Sequence, residues 1–131
     1  MINFKRYIYV GIGGGIGASS RYGLSRLTQV ETILFPYSTI LINLLGAFIL
    51  TFLINLTCFK NKFPKDLQIA INVGVIGSLT TFSLMMTDMI QLINPSHFWF
   101  IYYFIMIIGG LIASFLAYLF ALSLNDKVDL S

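Results

Sequence analysis

The sequence predicts an all-α membrane protein: one domain of four transmembrane helices per subunit. Three observations carry that expectation. Of 131 residues, 57% are hydrophobic and 10% charged, and the mean hydropathy is +0.87. Four stretches between charged positions match the roughly 20 apolar residues that cross a hydrocarbon core. Turn and charge signals fall between those stretches. A soluble domain carries roughly 25% charged residues, and with far fewer a small globule cannot cover its own apolar surface. A cytosolic enzyme, a secreted disulfide scaffold and a disordered tail are thereby excluded.

The first span is placed at residues 7–27, with Arg21 and Arg26 near its far end. Lys5 and Arg6 before an apolar run resemble a signal peptide, with Gly17-Ala18-Ser19 as a cleavage site. The apolar character continues past that point, so a span is preferred. The second span, residues 33–57, carries no charge and opens at Phe35-Pro36-Tyr37. The third, residues 67–93, follows the basic loop Lys60 to Asp66 and contains Asp88. The fourth, residues 98–124, follows the turn Asn94-Pro95-Ser96-His97.

The net charge of +3 serves orientation rather than nucleic-acid binding, because the basic residues form no stripe. Lys5, Arg6, Lys60, Lys62, Lys65 and Lys127 fall on one side, six against Arg21 and Arg26 on the other. By the positive-inside rule both termini are expected in the cytoplasm. Cys58 is the single cysteine, read as an apolar helix residue.

Gly13-x-Gly15-x-x-Ala18 matches the loose dinucleotide fingerprint but lies inside a span, without the strand and acidic residue which that fold needs. Gly11-x-x-x-Gly15 and Gly13-x-x-x-Gly17 instead predict close helix packing, as do Gly109, Gly110, Ala113 and Ala117. Arg21 lies about 20 Å along the first helix. It either snorkels to the interface or sets a fixed positive charge at an aqueous vestibule for anions. Asn43, deep in the second span, either bonds another helix or faces water, whereas Asn55 and Asn72 are left to interfacial hydration. Tyr102, Tyr103 and Trp99 read as interface aromatics. His97 has no Cys or carboxylate partner for a metal site, and no nucleophilic constellation assembles, so the chain is not expected to be an enzyme.

The most informative stretch is Gly74-Val75-Ile76-Gly77-Ser78-Leu79-Thr80-Thr81-Phe82-Ser83-Leu84-Met85. Glycines weaken the helix and hydroxyls replace lost main-chain bonds, so a break near the middle of the third span is expected. The bland alternative is a continuous helix whose hydroxyls bond back to the preceding turn. Freed carbonyls and helix-end amides are ion ligands in membrane proteins.

The segments GGGIGASSRYG from Gly13, STILINLLGAF from Ser38 and GVIGSLTTFS from Gly74, on four spans, resemble the CrcB (Fluc) family of fluoride channels. The resemblance covers nearly the whole chain. It implies an antiparallel dimer with two fluoride pores and passive fluoride exit from the cytoplasm. It also implies a structural sodium ion, not transported, held at the dimer interface by main-chain oxygens of Gly77 and Thr80. Carried over residue by residue, Asn43 and Phe82 line the pore, Thr81, Ser83 and Tyr103 are polar wall residues, and Arg21 is the vestibule arginine. Two positions depart from the family: Met85 stands where a second pore phenylalanine is usual, and Ser78 replaces a frequent glycine.

An antiparallel homodimer requires insertion in both orientations, yet six cations face two. The sequence therefore predicts a subunit inserted one way and paired with an oppositely oriented sister chain that supplies the missing ring. Two rivals stand beside the channel. A proton-coupled small multidrug exporter needs a carboxylate in the first span, which has none. A non-conducting scaffold needs the packing glycines but neither Asn43 nor the Thr-Thr-Phe-Ser element.

Overall fold

With no water in hydrocarbon to satisfy the main chain, an apolar stretch must close its own N–H and C=O groups as a helix. A computed structural model of the chain describes residues 4–28, 35–93 and 98–129, and every regular element among them is helical. In order these are α1 (Phe4–Thr28), α2 (Tyr37–Asn55), the short α3 (Thr57–Lys62) and α4 (Lys65–Ile69). A π-helix (Ala70–Ile76), α5 (Gly77–Leu79), α6 (Phe82–Ile93) and α7 (Phe98–Asp129) follow. The Asn94–His97 turn, His97 included, and residues 33 and 34 of the second predicted span lie outside the described residues.

Tyr37–Asn55, Lys65–Ile93 and Phe98–Asp126 are long and apolar enough to cross a membrane, which makes this a multi-pass membrane protein. The first helix has the length, with 25 residues, but its glycines and arginines leave it less apolar. The last is apolar on every side, with Phe100, Ile101, Tyr103, Ile105 and Ile107 all exposed around its circumference, as suits a helix surrounded by lipid or another subunit.

Glycines decide how α1 meets the third segment. A Cβ on Gly13 would stand 2.5 Å from the Ala70 carbonyl oxygen, and one on Gly74 would stand 2.7 Å from that of Val10. A Cβ on Gly17 would collide with the Val75 carbonyl. Main chain thus packs on main chain, which only glycine permits, and the π-helical turns lie opposite this contact. Gly11 and Gly15, expected to pack in the same manner, have open space around them; the Gly13–Gly17 face of α1 is the one that takes the third segment's main chain. On the other side α2 packs along α7. There Gly109 lies under Leu44, Ala117 and Ala121 are fully buried, and Phe52 stacks on Phe120 at 5.5 Å.

Met85, Leu92, Tyr102 and Met106 form the core cluster, with Trp99 packed against it. Tyr102 is 0% exposed and donates its hydroxyl to Asp88 at 3.2 Å. The expectation that it is an interface aromatic is therefore corrected: a phenol is buried where it finds an acceptor.

At one end of the bundle Arg6 Nε bonds Asp66 Oδ1 at 2.8 Å. There too Asn125 accepts the Thr57 N–H at 2.9 Å and donates to the Asn55 carbonyl at 2.9 Å. These bonds gather the start of α1, the α2–α4 connection and the end of α7, the regions that the charge count placed on one side. Asn55 is not left to water: its Nδ2 donates to the Thr51 carbonyl at 2.8 Å. Asn72 has its Oδ1 buried, with no hydrogen-bond partner among the described residues.

Candidate functional site

The third segment stops being helical at Thr80, which has φ −73° and ψ 155°, and resumes at Phe82. The Thr80 amide makes the last helical bond, to the Ile76 carbonyl at 3.1 Å, and its hydroxyl donates to the same oxygen at 3.2 Å. The next residue leaves the helix for a side chain. Thr81 N–H donates to Asn43 Oδ1 at 2.8 Å, and Asn43 Nδ2 donates to the Thr81 carbonyl at 2.9 Å. One asparagine amide on α2 thus satisfies both polar groups of one non-helical residue, as a neighbouring strand would. The Thr81 hydroxyl then caps α6 by accepting the Leu84 N–H at 3.2 Å.

These two diversions have a consequence for the carbonyls. In an uninterrupted α-helix the Thr81 and Leu84 amides would serve the carbonyls of Gly77 and Thr80, four residues earlier. Both donors are taken elsewhere. Gly77 is exposed, and the Thr80 carbonyl accepts a 3.4 Å bond from Arg21 Nη1. Arg21 is half-buried, so its guanidinium reaches into the interruption rather than out along the helix.

Beside the interruption lies a cavity of about 350 Å³, mostly apolar, walled by α2, the Thr80–Met85 stretch and α7. Asn43, Thr80, Thr81, Phe82 and Met85 line it together, with Gly46, Met106 and Gly110. Gly46 makes room for the Thr80 methyl group. Phe82 is 71% exposed, whereas Met85 is 5% exposed and belongs to the core cluster. The exposed Ser83 has its hydroxyl 3.4 Å from that of Thr81. Tyr103 is brought to α7 one turn before the lining residue Ile107 but does not itself line the cavity; it is 40% exposed and meets the Phe104 ring edge-on. Gly110, read as a packing residue, has open space next to it and forms cavity wall. No group of three His, Cys, Asp or Glu able to hold a metal occurs among the described residues. Met106 and Ile107 were not singled out from the sequence, and nothing distinguishes them there from other apolar residues of the span.

Residues 8–118 match the family model described as CrcB-like protein, Camphor Resistance (CrcB). A relative from Bacillus thuringiensis subsp. konkukian (strain 97-27), named fluoride-specific ion channel FluC 1, is 44% identical over 116 residues, covering 86% of this chain and 84% of its own. Fluoride-specific ion channel FluC 2 of Geobacillus kaustophilus (strain HTA426) is 34% identical over 115 residues, covering 86% and 89%. A Staphylococcus epidermidis (strain ATCC 35984) protein named FluC 1 is 36% identical over 93 residues, covering 71% and 75%. With the match running from the first helix well into the last, this chain belongs to the CrcB family.

Proposed function

We propose that this chain is a subunit of a fluoride-selective channel that lets fluoride leave the cytoplasm passively. The names of its relatives support the ion. The observation that carries the reading is the Asn43–Thr81 clasp, which holds a helix interruption open beside a cavity. A small anion entering a low-dielectric passage needs replacements for its water. Asn43 Nδ2 carries a second hydrogen beyond the one given to Thr81. The exposed Phe82 offers a positive ring edge and the Thr81 hydroxyl polar wall; Ser83 and Tyr103, outside the cavity lining, place their hydroxyls on the passage beyond it. The charge of Arg21 draws anions toward the interruption.

In this reading the subunit crosses the membrane four times, the third crossing being two half-helices, and its termini are cytoplasmic. Two subunits pair antiparallel around a structural sodium ion. The donor set fits such a hard cation, which prefers uncharged and anionic oxygens: the Gly77 and Thr80 carbonyls are among those that lose their helical donors at the interruption, and the second also accepts from Arg21. Two carbonyls are too few for one ion, and a second subunit doubles them. When bound, the ion supplies positive charge that ties the half-helices together. The six-to-two charge imbalance and the burial of Met85 support pairing with an oppositely oriented sister chain that supplies the second ring. Reporter fusions at the carboxyl terminus test that part: one-sided signal is expected, and equal signal from both sides of the membrane would overturn it.

Fluoride efflux from liposomes holding the purified protein, alone and with any sister chain, tests the whole. Passive efflux is expected in at least one case, and silence in both overturns the channel. Replacing sodium with a large organic cation should lower the unfolding temperature. An unchanged temperature removes the sodium site without touching the channel.

A further inference from the structure

Gly46 stands in the middle of α2, where glycine weakens a helix relative to alanine. It is not there for an unusual main-chain angle, since no glycine among the described residues has a positive φ. We infer that the missing side chain of Gly46 is a seat for the Thr80 methyl group, and that this seat sets the distance at which Asn43 closes on Thr81. Gly46 is thus a positioning residue for the passage. The inference rests on the channel reading for its functional meaning.

A Cβ on Gly46 would collide with Thr80 Cγ2, and would stand 3.7 Å from Thr80 Cβ and 3.9 Å from Ile76 Cγ2. Gly13, Gly17 and Gly74 face main chain, so an added methyl group there would drive two helices apart. Gly46 faces the methyl group of one residue, and that residue precedes Thr81. On α2, Asn43 comes three positions before Gly46 and shares its face. One helix face therefore holds two consecutive residues of the interruption. Gly46 takes the Thr80 side chain, and Asn43 takes the Thr81 main chain with bonds of 2.8 and 2.9 Å.

Thr80 has no way to turn its methyl group aside. Its hydroxyl donates to the Ile76 carbonyl at 3.2 Å, which selects one of the three staggered χ1 wells. A second well puts the hydroxyl where the methyl group now sits, and that oxygen would meet the same Cβ. The third clears the space but takes the hydroxyl off the carbonyl and turns the methyl group toward it. No rotamer both makes room and keeps the bond. Room for a Cβ on Gly46 comes instead from moving the Thr80 main chain away from α2. Thr81 moves with it, and its two bonds to Asn43 lengthen past the range in which they hold.

The experiment is a cycle of Gly46→Ala and Thr80→Ser, read by fluoride efflux per folded protein in liposomes and by hydrogen exchange at the Thr81 amide. Thr80→Ser keeps the hydroxyl and the main chain and removes only the atom that the new Cβ strikes. Thr-Thr occurs once in the sequence, so isotope labelling of that carbonyl–amide pair isolates the Thr81 amide by NMR. In the Thr80→Ser background the other Ser-Thr pair is Ser38-Thr39. Gly46→Ala should lower efflux and speed exchange, each by roughly two- to tenfold, the factor that one hydrogen bond represents. Measured against Thr80→Ser alone, the same alanine should change neither as much as twofold. An equal effect in both backgrounds overturns the seat. If Gly46→Ala yields no folded protein, adding Thr80→Ser should restore it, and a double variant that also fails to fold overturns the seat. Gly110→Ala adds a methyl group to the same cavity wall where it meets nothing within 4 Å. It should leave exchange unchanged; faster exchange there makes crowding of the cavity the cause and overturns the seat. Faster exchange in Gly46→Ala with efflux unchanged makes Gly46 a packing residue only and overturns its positioning role. Unchanged exchange in Gly46→Ala overturns the seat whether or not the protein conducts, whereas a wild-type protein that passes no fluoride overturns only the channel reading.

Discussion

Two helices of this protein are interrupted, and each interruption is held by an asparagine from another part of the chain. At the end of α2, Leu56 turns extended, with φ −78° and ψ 113°. There Asn125 of α7 accepts the Thr57 N–H and donates to the Asn55 carbonyl. In the third segment Asn43 of α2 accepts the Thr81 N–H and donates to the Thr81 carbonyl. The hardware is the same, but the remaining main-chain groups differ. Around Leu56 the ladder stays closed: its amide bonds Phe52 and Leu53, and its carbonyl accepts the Lys60 N–H, the partners four residues away that a continuous helix would supply. Around Thr80 the donors for the Gly77 and Thr80 carbonyls are withdrawn, and Arg21 reaches one of those carbonyls at 3.4 Å. An asparagine clasp that spans two residues closes a kink. One that grips both groups of a single residue opens a gap in the ladder, and it is this second kind that borders the cavity.

The sharpest way to break that contrast is Asn43→Asp. A carboxylate still accepts the Thr81 N–H but has no hydrogen for the Thr81 carbonyl, and it adds a negative charge to an anion passage. Like charges about 4 Å apart near a protein surface differ by about 4 kcal/mol, so fluoride efflux should fall about a thousandfold. Wild-type efflux from this variant in liposomes would remove Asn43 from the passage. Phe82→Ile is next. It keeps the apolar bulk of a side chain that is 71% exposed but loses the positive ring edge, whose interactions are worth about 0.5–1.5 kcal/mol. Efflux should fall up to about tenfold, with unfolding temperature unchanged.

Asn125→Ala supplies the control. It removes two hydrogen bonds at the end of the bundle, each worth about 0.5–1.5 kcal/mol, and should lower the unfolding temperature. Because no residue near Leu56 lines the cavity, efflux per folded protein should not change. A fall in efflux beyond the loss of folded protein would mean that the α2 kink and the cavity are coupled.

These residues also mark how far local sequence speaks for structure. The apolar stretches are legible because crossing a bilayer sets their length, and the Gly74–Ser83 stretch is legible because glycines and hydroxyls are weak helix material. Asn43 stands out as an amide among leucines, but its partner lies 38 residues away, a pairing that only the fold creates. Asn125 is invisible by the same logic: in Asn-Asp-Lys at the end of a helix it reads as solvated tail. Nothing in Ala70-Ile71-Asn72-Val73-Gly74-Val75-Ile76 specifies π geometry. It lies where Gly13 and Gly17 bring α1 main chain against Gly74, a tertiary cause. Tyr102 misled for a related reason: aromatic residues near a span's start usually sit at the interface, and only the position of Asp88 on a facing helix gives this one a reason to turn inward.

The smallest expected effect separates the two jobs of Thr81, main-chain partner of Asn43 and cap of α6. Thr81→Ala keeps the main chain and therefore the clasp, but loses the hydroxyl that accepts the Leu84 N–H at 3.2 Å. An N-cap of this kind is worth about 1 kcal/mol. Thr81→Ser keeps the hydroxyl and sheds only a methyl group, so serine should restore most of the unfolding temperature that alanine loses. Efflux should follow stability only weakly, since the Thr81 oxygen is engaged by its own helix and the Asn43 bonds survive both changes. A large loss of efflux in alanine that serine rescues, at equal amounts of folded protein, would instead make the hydroxyl itself a partner of the anion and move the working edge of the passage from Asn43 to Thr81.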